Sequence, residues 1–167
     1  MNDEIRRLWS QTRILVWPQT YALVSLPLEQ LPLAASLAAA STDRFAALVL
    51  EADEVSLTID EQLWQEFAAS GVRAKSAAGP YRAITLQLNI DLDVTGYLSP
   101  AAFLLAEAGI SIVPQCGFLK DHLLIRAEQT DRAVEILQGL VNDSASGREP
   151  PKQVEIARGR GSCDSVE

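Results

Sequence analysis

Between residues 81 and 89 apolar and polar positions alternate: Ile84, Leu86 and Leu88 fall on one side, Thr85, Gln87 and Asn89 on the other. A period of two predicts a strand with one buried face. The pattern then lengthens. A helix is expected from about Gly96 or Ser99 to Ala108, with Ser99-Pro100 offering a cap and first turn and Gly109 a left-handed exit. Residues 110–116 and 121–126 read as strands again, with Pro114 placing the first near an edge or a bulge. Thr130 stands as the cap of a helix over 131–140, whose Ala133, Val134, Leu137 and Leu140 make one apolar stripe.

The same succession precedes it. Residues 13–17 and 21–26, split by Pro18-Gln19-Thr20, predict a hairpin or a bent strand. Residues 28–40 are rich in Leu and Ala and predict a helix with Pro32 in its first turn. Strands are expected at 45–50 and 54–59 around the acidic turn 51–53. Asp60 then caps a helix over 61–70, with Ile59 and Trp64 spaced as a hydrophobic staple and Gly71 at the exit. Residues 72–75 suggest a closing strand, and the SAAGP run at 76–80 reads as an internal linker.

Each half therefore reads βαββα with an optional final strand, the split βαβ arrangement of a ferredoxin-like unit. The expected fold class is α+β: two ferredoxin-like (βαββαβ) repeats packed together, with antiparallel sheets and helices on one face. The expected division is an N-terminal docking arm over 1–12, a first repeat over 13–76 and a second over 80–142. Residues 142–151 read as linker, 153–157 as a possible extra strand, and 158–167 as a disordered tail.

Composition narrows the function. In 167 residues, 14 Lys plus Arg stand against 22 Asp plus Glu, a formal charge of -8. Such a surface repels phosphate backbones and anionic bilayers, which argues against nucleic acid and membrane partners. The most apolar region, 21–40, is interrupted by Pro27, Glu29 and Pro32, too often for a membrane span. Two cysteines, Cys116 and Cys163, give no disulfide framework and fit a cytoplasmic location. One histidine and two scattered cysteines make no zinc cluster, and no nucleotide-binding or hydrolase-elbow motif occurs, so no cofactor is expected. A Cys116–His122 nucleophile pair is the one enzymatic option. Asp121 and His122 are neighbours on a strand and point to opposite faces, which leaves that option well behind a non-enzymatic role.

The loop DLDVTGY (91–97) and the turn FLKD (118–121) are expected to meet at one end of the sheet as the lips of a small-molecule site. Val94, Phe118 and Lys120 fall on those lips. Thr95-Gly96-Tyr97 lies near a helix start, where backbone N–H groups and the dipole favour an anion, and Gly96 lets a ligand approach the backbone. Asp93 or Asp121 would accept from a ligand ammonium. Val55 and Ser56, in the corresponding strand of the first repeat, are candidates to complete the site across the interface.

The DLDVTG, LAEAGISI and KDHLLI segments within 89–125, with YALVSLP (21–27) and ADEVSLTI (52–59) as weaker counterparts, resemble ACT-like domains of the amino-acid-sensing group related to the CASTOR arginine sensors. The resemblance covers about 14–140. It implies a tandem ACT-like regulatory protein with an amino acid held between its repeats, a partner protein or homodimer, and an end strand exchanged between repeats, for which 153–157 is one candidate. Val94 stands where the arginine-sensing relatives carry an acid, and Lys120 adds a cation beside Asp121, which points away from arginine. The alternative is an interaction or dimerisation scaffold whose pocket is vestigial.

Overall fold

The computed structural model describes residues 1–147. Helix α1 (Asp3–Gln11) opens the chain, capped by Asn2, whose side chain accepts from the Ile5 N–H at 2.8 Å. Strands β1 (Arg13–Val16) and β2 (Tyr21–Leu26) follow, then α2 (Leu31–Ala40), β3 (Ala47–Leu50), β4 (Val55–Asp60) and α3 (Glu61–Ala69). The rest comprises β5 (Ser76–Gln87), α4 (Ser99–Glu107), β6 (Ile112–Cys116), β7 (Asp121–Arg126) and α5 (Thr130–Ser146). Asp60 caps α3 as expected, its Oδ1 accepting from the Leu63 N–H at 3.0 Å.

All strands join one antiparallel sheet in the order β3-β4-β2-β5-β7-β6, with β1 also paired to β5. The long strand β5 belongs to both repeats. Its first residues pair with β2 (Ser25↔Ser76, Leu23↔Ala78). Its last residues are flanked by β1 (Arg13↔Gln87 to Val16↔Ile84) and by β7 (Ile84↔Leu123, Leu86↔Asp121). The first repeat is thus β3-β4-β2 closed by the start of β5. The second is β6-β7 and the end of β5, closed by β1. Both have the ferredoxin-like strand order, and β1 followed by β2 mirrors the way β5 serves two units.

Several boundaries differ from those the sequence predicts. Residues 76–80 are not a linker but the start of β5. Gly79 sits where the strand changes partners, and a Cβ there would stand 3.0 Å from the Tyr21 carbonyl oxygen, so the glycine marks a close backbone approach. Residues 1–12 are not a docking arm, because α1 packs on α5 with Trp9 fully buried and Ile5 nearly so. Residues 13–16 pair into the second repeat rather than the first. Helix α5 continues to Ser146, through residues read as linker, and leaves through Gly147 at φ 73°. The candidate strand 153–157 and the tail 158–167 lie outside the described residues; β1 occupies the edge of β5 that closes the second repeat.

The alternation of the strands feeds three apolar clusters. Val24, Leu26, Leu57 and Ile59 pack under α2 and α3 with Leu37 and Trp64. Ile84, Leu86, Leu123 and Ile125 pack under α1, α4 and α5 with Trp9, Leu105 and Leu137. On the opposite face, at the seam between repeats, Tyr21, Tyr81, Ala83 and Leu124 are covered by Phe45 from the connection between α2 and β3.

Candidate functional site

The site lies where β5 ends and the β6–β7 hairpin turns. After Gln87 the chain needs eleven residues, 88–98, to reach α4. That segment folds back on itself: the Val94 N–H donates to the Asp91 carbonyl at 3.1 Å, and the Asp93 N–H donates to Asp91 Oδ1 at 3.4 Å. Gly96 adopts φ +85°, a left-handed backbone that a side chain would strain. The opposing lip is a tight hairpin. Cys116 and Asp121 face each other in register, and the Gly117 N–H donates to the Lys120 carbonyl at 2.9 Å. A bond from the Ile90 N–H to the Leu119 carbonyl at 3.4 Å ties the two lips together.

Between them is a cavity of about 140 Å3, below the 300–1,000 Å3 of pockets for drug-sized molecules. Ile90, Val94 and Tyr97 form apolar walls, and Asp91, Lys120 and Asp121 bring charge of both signs. Leu92, Phe118 and Leu119 form the rim at 68%, 77% and 51% exposure, an apolar collar around a polar opening.

Tyr97 is the floor, and its position comes from α1. Its ring stacks on Trp9 with centroids 5.0 Å apart, its carbonyl accepts from Trp9 Nε1 at 2.8 Å, and its hydroxyl bonds Thr12 Oγ1 at 2.7 Å. Burial pushes the phenol up to about 12, with the Asp121 charge adding and the Thr12 bond opposing, so Tyr97 stays neutral. The Cys116 thiol is pushed up to about 11, first by its hydrogen bond to Asp121 and then by burial. A thiol so held is a weak nucleophile. His122 points to the other side of the sheet, opposite Gln115, so the Cys116–His122 pair does not assemble.

The expected site residues are distributed unequally. Val94, Phe118, Lys120 and Asp121 line the cavity. Asp93, Thr95 and Gly96 are exposed and shape the loop from outside it; α4 begins at Ser99, the later of the two expected starts, so 95–97 lies before the helix rather than in its first turn. Val55 and Ser56 are at the opposite end of the sheet. They pair with Leu26 and Ser25, and Ser25 pairs with Ser76, ten positions along β5 from Leu86, the partner of Asp121. Val55 is fully buried, and the Ser56 hydroxyl donates to Glu54 Oε1 at 3.0 Å. An inter-repeat site that joins them to Asp121 is therefore not formed. The expectation assumed two repeats presenting the same end, whereas antiparallel sharing of β5 sets the equivalent ends apart. Asp91, Leu92, Tyr97 and Leu119 fall on the expected lips without having been assigned a ligand contact, Cys116 was considered only as a nucleophile, and Ile90 and Gly117 were not foreseen; the pairing of Cys116 with Asp121 across a four-residue turn was the available signal.

The chain matches no family model and no curated protein. Its three-dimensional likenesses are clear. A protein of unknown function from Vibrio cholerae, described as a possible transport protein, superposes with a TM-score of 0.63 at 20% identity, over 82% of this chain and 95% of that one. The regulatory subunit of aspartate kinase from Thermus flavus superposes with a TM-score of 0.53 at 11% identity, over 76% of this chain and 95% of that one. Aspartokinase alpha and beta subunits give 0.56 at 17% identity, over 77% and 97%. The fold is ACT-like. At these identities the likeness concerns the architecture of two ferredoxin-like units, and this ACT-like chain departs from a simple tandem in drawing β1 into its second unit. Among the described residues no helix is long and apolar enough to cross a membrane, and no group of three His, Cys, Asp or Glu residues is placed to hold a metal ion.

Proposed function

We propose that this chain is a non-enzymatic regulatory protein that binds a small molecule, an amino acid, in the cavity between the 88–98 loop and the β6–β7 hairpin. The observation that carries this reading is the convergence of Asp91, Asp121 and Lys120 on a small, apolar-walled cavity whose floor is fixed by Trp9 and Tyr97. A free amino acid presents one ammonium and one carboxylate a short distance apart. Asp121 or Asp91 suits the first and Lys120 the second, by charge-assisted bonds of roughly 1.5–3 kcal/mol each. The regulatory subunit of aspartate kinase among the structural neighbours supports a regulatory role. Ligand and partner protein would then be linked reciprocally: whichever orders the lips favours the other.

A thermal unfolding screen against each common amino acid at millimolar concentration tests this. Ligand at about a hundred times its dissociation constant adds roughly 2.7 kcal/mol and raises the midpoint measurably. The shift should vanish in Asp121→Ala. No shift with any amino acid would overturn the reading.

The exposed collar of Leu92, Phe118 and Leu119 favours a second reading, a scaffold in which the same rim docks another protein or another copy of this chain. Sedimentation of Phe118→Ser against the unaltered protein separates the two. Loss of self-association with no ligand response in either protein would favour the scaffold.

A further inference from the structure

His122 is the one histidine in the chain and follows Asp121 directly, so its side chain leaves β7 on the face opposite the cavity. There it is half-buried, with its ring centroid 4.7 Å from that of Phe45. Phe45 belongs to the connection between α2 and β3, so this contact joins the second repeat to the first. Thr85 Oγ1 lies 2.8 Å from His122 Nδ1 and 2.8 Å from Trp17 Nε1, and Thr85 is only 2% exposed. An indole N–H can only donate. Thr85 therefore accepts from Trp17; donating its single hydroxyl hydrogen to His122 Nδ1 then satisfies this nearly buried hydroxyl, whereas an Nδ1–H would leave that hydrogen without an acceptor among the described residues. The relay thus calls for a neutral imidazole with its hydrogen on Nε2.

The surroundings reinforce that form. Burial draws the imidazole below its ordinary value; Asp121 acts against this and Lys120 with it. Thr85 on β5, Gln115 on β6 and Phe45 bring no titratable group, and Arg44 in the same connection pairs with Asp60 at 3.1 Å. Tyr21, edge-on to Phe45 at 5.9 Å, accepts from the Phe45 N–H at 3.2 Å, and burial keeps its phenol above the ordinary value.

We propose that His122 is an acid-released latch between the repeats: neutral, it holds Phe45 and the 41–46 connection against β7; protonated, it breaks the Thr85–Trp17 relay and frees them. The latch stands whatever the cavity binds. That its release also loosens the hairpin lip carrying Asp121 rests on the ligand-binding reading.

The sign is fixed by the direction of the shift. A histidine held below its unfolded value contributes stability at pH above that value, about 6.5, and the contribution is lost as pH falls through the folded value. A sole histidine makes the test direct, and no ligand is needed. NMR of the full chain should place the imidazole midpoint below about 6.5. The Trp17 indole N–H signal, identified by its absence in Trp17→Phe, should move with the same midpoint. Exchange of the Phe45 amide, corrected for intrinsic rates, should rise about tenfold or more across that transition. In His122→Phe both responses should be flat, and His122→Gln serves if that variant fails to fold. A midpoint at or above the ordinary value, an unmoved Trp17 signal, or the same response in the variants would overturn the latch.

Discussion

Trp9 shows how one side chain can serve both packing and a site. It is fully buried, stacks on Tyr97 and donates to the Tyr97 carbonyl, so it fixes the floor of the cavity from a helix at the other end of the sequence. Trp9→Ala would leave a void and an unpaired carbonyl, with an expected loss of about 3–5 kcal/mol, measurable by urea denaturation. Trp9→Phe keeps most of the stack but loses the N–H donor, so its cost should be smaller, about 1–3 kcal/mol. A change that left stability untouched would show that α1 merely rests on the surface. At this scale the candidate site was partly legible. Asp121, Lys120, Phe118 and Val94 could be chosen from turn chemistry and charge. Tyr97 and Trp9 could not be joined, because their contact spans 88 positions and no local pattern encodes it.

At the scale of elements, the period-two and helical patterns identified most strands and helices, and Asp121–Arg126 appears with the expected bounds. What failed was punctuation. Gly79-Pro80 was read as a break between units, yet it lies inside a twelve-residue strand. Helix α5 outruns its apolar stripe, since Val141 and Ser144 still find a buried surface against which to pack. The largest surprise is β1. Its four residues are too few to reveal a partner, and the choice of β5 over a hairpin with β2 is made by tertiary pairing. Removing residues 1–16 should therefore unfold the second repeat rather than trim an arm. In hydrogen exchange, amides of β7 and α5 should lose protection in the truncated chain while those of β4 keep most of theirs. Equal protection throughout would contradict this.

At the scale of the molecule, the shared strand makes the two repeats unequal. In the first, the connection from β2 to α2 is a short 3-10 turn, and Glu54, in the place corresponding to Lys120, is occupied by the Ser25 and Ser56 hydroxyls. Those bonds hold its carboxyl below the usual range. In the second, an eleven-residue loop stands open above the cavity. The expected stoichiometry is consequently one ligand per chain despite the internal repeat. Calorimetry with the amino acid found by the unfolding screen would read it directly, and two equivalent sites would contradict this asymmetry.

The placement of β1 also bears on how the chain is made. Synthesis produces α1 and β1 before either has a partner: the edge of β5 that receives β1 ends at Gln87, and the α5 surface beneath α1 begins at Thr130. The first repeat can close once its share of β5 exists. The first sixteen residues, carrying Ile5 and Trp9, must wait for almost the whole of the described chain to be translated before they can be covered. Residues 1–16 are thus made well before the strand and helix that cover them, and they complete the repeat that carries the cavity.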